Sequence, residues 1–422
     1  MDQHRVRSYF FNSIWFYGSG ALLLLGMALR QPALSILAFM TLLTAGSSKL
    51  WSRHALKNVI YRRHLSNTRI FRGESIQMTA EIVNHKWLPL PWLEVEDQVS
   101  DRIRLRDQDT LPSSRPGTTI LRLTTSVRWF ERVTWSFQLD CPHRGAFSIG
   151  PLSLRSGDLF GFFSEQQRYE QTDQILVYPR IIPLEDLGLP PRHPLGDSRA
   201  LRQLIADPTR TIGVREYRPE DSFRFINWKA TAKLQKTQVK VFEPTVSLQL
   251  GIFLNLDTFE RPWEGIDYTR AESAITAAAS LASHSITERY LVGMYANGVL
   301  SGSDQSLRIR PGLGPDQLTS ILEGLAKLTP LAATNFQRLL QDEARRFPWG
   351  STIVIVTALM TEPLAQMIEE LLNGQNHIIL LCIGAIEIPS LPGLIVHTLA
   401  DDLIGQEFDE RSRYVRMIDV RG

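Results

Sequence analysis

Leu248–Asp257, LQLGIFLNLD, is apolar at nearly every position and ends in polar residues. A short continuous apolar run of this kind predicts a strand buried on both faces, as in a parallel sheet covered by helices. The chain that follows supports that reading. Residues 267–289 carry Ala271, Ile275, Ala278 and Leu281 on one helical face, and an apolar strand is expected at 290–296. Helical patterns near 315–328 and 334–345 come next, then STIVIVTAL, a helix at 363–373, HIILLCIGA and LIVHTL. Alternation of this kind predicts a doubly wound α/β domain over residues 248–422, with any ligand at the carboxyl ends of its strands.

Upstream lies a stretch of another character, Arg215–Leu234, REYRPEDSFRFINWKATAKL. Aromatic and charged side chains crowd it, whereas linkers are normally polar or Gly/Ser-rich. It reads as an ordered clasp closing a linker over residues 181–247. Pro219 favours the second position of a type I turn. Asp221 is expected to cap a short helix running through Lys233. Arg215, Arg218 and Arg224 are placed to fork onto Glu216, Glu220 or Asp221, with Trp228 covering them.

Residues 67–180 change to period two. Ile76, Met78, Ala80 and Ile82 alternate with polar residues, as do Leu121, Leu123, Thr125, Val127 and Trp129, and Val133, Trp135, Phe137, Leu139 and Cys141. Such alternation, punctuated by Pro and Gly, predicts an all-β, sandwich-like domain. No catalytic pair stands out in it. Asp158-Leu159-Phe160-Gly161 reads as a turn with an aromatic plug.

The amino terminus carries two uncharged runs, Phe10–Leu29 and Gln31–Ser48, each long enough to cross about 30 Å of hydrocarbon as a helix. Only Arg30 separates them, and Pro32 suits a helix start. Residues 1–66 therefore read as a transmembrane helical hairpin followed by residues 50–60, which are either a basic amphipathic helix with Trp51, Ala55 and Val59 on its apolar stripe or simply the last turn of the second helix and a connector. Arg5 and Arg7 precede the first run, and Lys49, Arg53, Lys57, Arg62 and Arg63 follow the second. That bias predicts a two-span protein of the cell membrane, touching lipid, with both ends and the bulk of the chain in the cytoplasm.

Composition narrows the function. A net charge of +2 gives no footprint for nucleic acid. Two cysteines, Cys141 and Cys382, in different expected domains allow neither a disulfide framework nor a cysteine metal site. Gly312-Leu313-Gly314 lacks the third Gly and the preceding buried strand of a nucleotide loop.

The clasp resembles the signature of the family called domain of unknown function 58, in which Arg-x-Tyr-x-Pro-Gly-Asp precedes Arg, Ile-Asp-Trp and Ala. Arg215, Tyr217, Pro219, Asp221, Arg224, Ile226, Trp228 and Ala230 fill those places, while Glu220 replaces the usual Gly and Asn227 the usual Asp. With HRGAFSIGPLSLRSGDLFGFF and VYPR upstream, the resemblance runs over residues 65–420. It implies a membrane-anchored protein with a von Willebrand factor A-like domain, partnered by a MoxR-type AAA+ ATPase. Such a domain holds a divalent cation through Asp-x-Ser-x-Ser, a loop Thr and a later Asp. Here Asp257 keeps the first position and Thr334 is the candidate loop Thr, but Phe259 and Arg261 stand at the serine positions and Ala358-Leu359 follows the later strand. No cofactor is expected, because Arg261 would set a positive charge where the cation belongs. The resulting expectation is a non-enzymatic adaptor. The alternatives are a hydrolase using Asp257 and Asp221 in one cleft, and an envelope polymer-binding protein.

Overall fold

The computed structural model of the chain describes residues 13–106, 108–189, 206–218, 221–244, 249–348, 350–374, 376–401 and 403. The chain divides into two units, Met1–Tyr178 and Pro179–Gly422.

The first unit opens with helices α1 (Ser13–Ala28) and α2 (Pro32–Ala55). Arg30 turns the chain at positive φ, Gln31 N–H donates to Gly26 O at 3.0 Å, and the helices pack on each other. A Cβ on Gly26 would come within 2.8 Å of Ser35 Oγ, so glycine permits the close approach. Among the described residues α2 alone is long and apolar enough to cross a membrane; the apolar part of α1, Tyr17–Ala28, is shorter. An apolar helix of this length near the amino terminus suggests a membrane anchor. Residues 1–12, with Arg5, Arg7 and the start of the first apolar run, lie outside the described residues.

A separate amphipathic helix over residues 50–60 does not exist. α2 runs on to Ala55, Asn58 takes a left-handed conformation, and Val59 begins a strand. Pairing decides the matter: β1 (Val59–Leu65) lies antiparallel to β3 (Ser75–Asn84) in continuous register from Val59–Asn84 to Leu65–Met78. Strand structure therefore starts at residue 59 rather than 67.

The remaining strands of this β-rich unit are β2 (Arg69–Phe71), β4 (Leu90–Ser100), β5 (Arg104–Arg106), β6 (Leu111–Pro112), β7 (Thr118–Val127), β8 (Arg132–Asp140), β9 (Gly145–Gly157), β10 (Ser164–Tyr169) and β11 (Asp173–Tyr178). They form two sheets, β1-β3-β8-β5 and β2-β11-β9-β4-β7-β6, with β10 added to β9. Alternate residues of both sheets, among them Ile76, Met78, Ile82, Leu93, Val95, Leu121, Leu139, Ile149 and Val177, meet in one apolar core that also takes in Ala55 and Leu56. Burial lifts the Cys141 thiol to about 12, so it is inert at neutral pH. Trp129 departs from the expected alternation: β7 stops at Val127 and the indole is exposed. The aromatics after Asp158 also differ from expectation. Buried Asp158 accepts the N–H groups of Phe160, Phe162 and Phe163, which closes the turn and leaves Leu159 and Phe160 outside.

Lys86, in the turn between β3 and β4, is half buried, and its ammonium has no hydrogen-bond partner among the described residues. Desolvation pushes its pKa down from 10.5 to about 8. The folded state thus binds the proton less tightly than the unfolded chain. The cost is full below about pH 8 and is relieved as pH rises toward 10.5. Lys86→Met is expected to raise the melting temperature at pH 7 and to remove this part of the rise. A variant melting at or below wild type at pH 7 would show that the ammonium has a partner.

In the second unit, Ile182 N–H donates to Ser280 Oγ, and Leu184, Leu187 and Leu189 are buried. β12 (Ala206–Glu216) and β13 (Gln238–Pro244) form a two-stranded antiparallel sheet, with the short helix α3 (Trp228–Leu234) between them. The mixed α/β domain then contains β14 (Gln249–Leu254), α4 (Tyr268–Thr287), β15 (Leu291–Leu300), β16 (Ser306–Gly312), α5 (Pro315–Lys327), β17 (Leu328–Ala332), α6 (Phe336–Ala344), β18 (Thr352–Thr357), α7 (Glu362–Leu372), β19 (His377–Ile383) and β20 (Ile395–Leu399).

Its sheet has the order β16-β15-β14-β18-β19-β20. The strands from β15 to β20 along it run parallel, while β16 and β17 join β15 antiparallel. Successive strand residues point to opposite faces. Phe253, Tyr295, Ile353, Ile355 and Leu380 pack with α6 and α7 through Phe336, Leu339, Leu340, Leu364 and Ile368. That leaves Ile252 and Leu254 for the face on which α4 lies, its alanines fully buried. β14 connects to β15 on one side and pairs with β18 on the other, so the strand order reverses at β14.

Candidate functional site

A strand-order reversal opens a crevice at the carboxyl ends of the strands, where ligands of α/β sheets sit. Here that place is filled by a polar cluster from the residues after β14, the interior of β15 and the last residue of β18. Asn255, Asn297 and Thr357 are buried. Asn297 Oδ1 accepts from Leu256 N–H at 2.9 Å, and its Nδ2 donates to Asp257 Oδ2 at 3.1 Å and Asn255 Oδ1 at 3.3 Å. Asn255 Nδ2 donates to Thr357 Oγ1, which donates to Leu359 O. Burial raises the Asp257 carboxyl above its ordinary value, and the hydrogen bond from Asn297 opposes the rise. A carboxylate in this setting takes a proton more readily than one in water.

Thr334 sits in the turn between β17 and α6. The neighbouring Ala333 N–H donates to Asn297 O at 2.7 Å, so the backbone brings Thr334 to the same end of the sheet as Asp257. The loop after Asp257 is tied down by Thr258 Oγ1, which accepts from Asp267 N–H, and Asp267 caps α4 through Thr269 and Arg270. On that loop Trp263 is 79 % exposed, with Phe259 and Tyr268 also outside. The Arg261 guanidinium lies over the Trp263 ring, 5.8 Å from its centroid. Among the described residues no group of three or more His, Cys, Asp or Glu is placed to hold a metal ion.

The signature residues form the insertion between β12 and β13. Arg215 forks onto Asp221, with Nη1 to Oδ2 at 2.6 Å and Nη2 to Oδ1, and Arg218 N–H also donates to Asp221 Oδ2. The Arg215 guanidinium holds the Asp221 carboxyl below its usual range. Asp221 N–H donates to Arg218 O, closing a turn; Pro219 and Glu220, within it, lie outside the described residues. Asp221 is therefore not the helix cap. Asn227 is: its Oδ1 accepts from Ala230 N–H at the start of α3. The reason is position, since a 3₁₀ turn at Phe223–Phe225 separates Asp221 from α3.

Arg224 lies over the Phe225 ring, 5.0 Å from its centroid, and Tyr217 stacks on Phe223. Trp228 does not cover the ion pair; it is 71 % exposed. Ile226 is buried and bridges to buried Val239, while Asn227 N–H donates to Gln238 O. Asp221 and Asp257 thus have separate partners, and no described hydrogen bond joins them. Sequence reasoning missed Asn255 and Asn297 altogether. The signal was available: an Asn directly before Leu256-Asp257 and another just after the apolar Leu291–Ala296 run are polar residues set against apolar strand sequence.

Residues 213–411 match the family described as Protein of unknown function DUF58. A DUF58 family domain is detected over that stretch, a little under half of the chain. The match takes in all eight signature positions and every strand of the α/β sheet; residues 65–212, over which the resemblance also runs, lie outside it. Over 214 residues the chain is 26 % identical to the Uncharacterized protein YeaD of Bacillus subtilis (strain 168), covering 50 % of each. It thus spans about half the length of that curated relative.

Among solved structures, the CARDB domain of a Pyrococcus furiosus protein is 12 % identical, covering 28 % of this chain and 91 % of that one, with a TM-score of 0.20. A cohesin module from Clostridium perfringens is 11 % identical, covering 28 % and 97 %, with a TM-score of 0.20. Spo0M, the sporulation control protein of Bacillus subtilis, is 13 % identical, covering 38 % and 58 %, with a TM-score of 0.19. Likenesses at these TM-scores carry no argument.

Proposed function

We propose that this DUF58 chain is a membrane-anchored adaptor without catalytic chemistry of its own. A two-span hairpin holds it, and its α/β domain, von Willebrand A-like in plan, faces the cytoplasm and docks a protein partner. The MoxR-type AAA+ ATPase implied by the signature is the first partner to test. One observation carries the reading. The polar groups at the strand ends are engaged with one another, while the loop above them presents Phe259, Trp263 and Tyr268 to solvent. Exposed aromatics of this kind are typical anchors of protein interfaces. Arg261, stacked on Trp263, adds a positive charge where a bound cation would be repelled, so no metal is invoked. A hydrolase would need Asp221 and Asp257 in one cleft, and Asp221 is held by Arg215 instead.

The test is affinity purification of the intact protein from detergent-solubilised membranes, beside Trp263→Ala and the double variant Arg224→Ala, Trp228→Ala, with melting curves for all. Loss of a stoichiometric partner from Trp263→Ala at unchanged melting supports docking at the strand ends. Loss from the double variant alone moves the docking site to the β12–β13 insertion. Recovery of no stoichiometric partner by the wild-type protein sinks the adaptor reading.

A further inference from the structure

We propose that the end of the β-rich domain at which α2 arrives is itself a membrane-seating surface, with Trp87, Trp129, Phe130, Leu159 and Phe160 lying in the interfacial layer of an anionic bilayer. The inference rests on the reading of α2 as a membrane span and adds to it a second, peripheral contact.

Topology gathers these residues. β3 ends at Asn84 and β4 begins at Leu90; β7 ends at Val127 and β8 begins at Arg132; β9 ends at Gly157. Antiparallel pairing sets Leu90 against Val127, Leu93 against Ser156 and Val83 against Arg132, so the three connecting turns share one end of the domain. Hydrogen bonds tie that end to the exit of α2. His85 N–H donates to Asn58 O, Phe130 N–H to Lys86 O, and Asn84 Nδ2 to both Leu88 O and Arg128 O. Trp92 Nε1 donates to Asp158 O, and α2 itself packs on β9 and β10.

The surface so assembled is apolar and exposed. Trp87 is 79 %, Leu159 63 %, Phe160 60 %, Trp129 57 % and Phe130 54 % accessible, and Trp87 meets Phe130 edge-on at 5.1 Å. Five large apolar side chains at one end exceed the scattered exposures normal for a soluble face. Arg53, Lys57, His85 and Arg128 are exposed around them. The nearby acids are engaged: Glu131 accepts from Arg128 N–H, and Asp158 is buried in its turn.

Length fixes the occupant. A helix rises about 1.5 Å per residue, so a span of about 30 Å uses some 20 residues. Counted from Pro32, the hydrocarbon ends near Trp51; one more helical turn ends α2 at Ala55, and three residues further Asn58 O accepts from His85 N–H. Turns held that close to the exit of a span lie at headgroup depth. Trp and Phe beside Lys and Arg are the side chains that reside there.

The test uses the intact chain in phosphatidylcholine–phosphatidylglycerol vesicles, labelled with an environment-sensitive fluorophore at Trp87→Cys, Phe160→Cys, Met40→Cys or Ser114→Cys. Cys141 and Cys382 are buried and leave the background unlabelled. Met40 reports on α2, and Ser114, beside the start of β7, reports on the opposite end of the domain. Lipids carrying a quencher near the headgroups should dim the labels at 87 and 160 and spare that at 114, while a deep quencher dims the label at 40. If 40 is quenched and 87 and 160 behave like 114, the seating surface is refuted and the anchor stands. If 40 is not quenched either, the anchor itself fails and the inference falls with it.

Discussion

Arg63→Ala is expected to destabilise the β-rich domain by about 3–5 kcal/mol, the usual result of removing one partner of a buried ion pair. The Arg63 and Asp97 side chains are 3 % and 1 % exposed and meet at 2.7 Å. The guanidinium is used from every side. Nη1 donates to both oxygens of Asp97, Nε to Asp173 at 2.7 Å, and Nη2 to Ile149 O at 2.9 Å, while Tyr61 adds its hydroxyl to Asp97 at 3.1 Å. Arg63 belongs to β1, in one sheet; Asp97, Ile149 and Asp173 belong to β4, β9 and β11, in the other. One side chain therefore pins the two sheets together, and its loss strands Asp97 without a counter-charge.

Burial pushes the Asp97 carboxyl up, with Arg63 opposing. Without Arg63 the carboxyl rises further. A raised folded-state pKa contributes stability at low pH and loses it as pH climbs, so the deficit of Arg63→Ala shrinks as pH falls toward the carboxylate range. Arg63→Lys keeps the charge but not the fork, and is expected to fall between. Hydrogen-exchange protection of the β4 and β9 amides in the intact chain reads the effect locally, without assuming that both units unfold together. A loss below about 1 kcal/mol in Arg63→Ala would mean that water or a shifted neighbour satisfies Asp97.

Asn297→Leu is expected to cost the α/β domain about 2–6 kcal/mol, from two polar groups of the strand-end cluster losing their partner at about 1–3 kcal/mol each. Leu256 N–H loses its acceptor and Asp257 its donor. Leu matches Asn in rough size, so the loss is polar in origin rather than a cavity. Because the Asn297 bond is what opposes the burial-driven rise of Asp257, the Asp257 carboxyl should titrate higher in the variant. Carbon NMR of the Asp carboxyls follows that titration directly. An unmoved Asp257 titration together with unchanged melting would mean that the strand-end cluster does not hold Asp257.

How far the sequence was legible differs element by element. Leu248–Asp257 announced a buried central strand, and β14 occupies the middle of the sheet. The period-two runs from Ser75 and Val133 became β3 and β8, and Ala271, Ile275, Ala278 and Leu281 became the buried face of α4. Residues 50–60 suggested a separate helix because four-residue spacing was counted past Ala55, where α2 ends ahead of the left-handed Asn58. Asp221 misled because an acid ahead of a helical pattern reads as a cap, whereas Arg215, six positions earlier, claims it across the turn.

The sequence alone therefore determined the period of the long apolar segments, and with it the β-to-α/β order, since periodicity is a local consequence of which face must leave water; the strands β12, β13, β16 and β17 it left unread. Tertiary structure alone decided the polar partnerships. Arg63 meets Asp97 and Asp173 from 34 and 110 residues away, and Asn297 reaches Asp257 across 40. Pattern does mark Asp97 as an inward position between Val95 and Val99. Which charge arrives to meet it is fixed by how two sheets close on each other, and no local rule encodes that distance. The gathering of Trp87, Phe130 and Phe160 at the exit of α2 has the same origin: three turns far apart in the chain share one end because the strands between them run antiparallel.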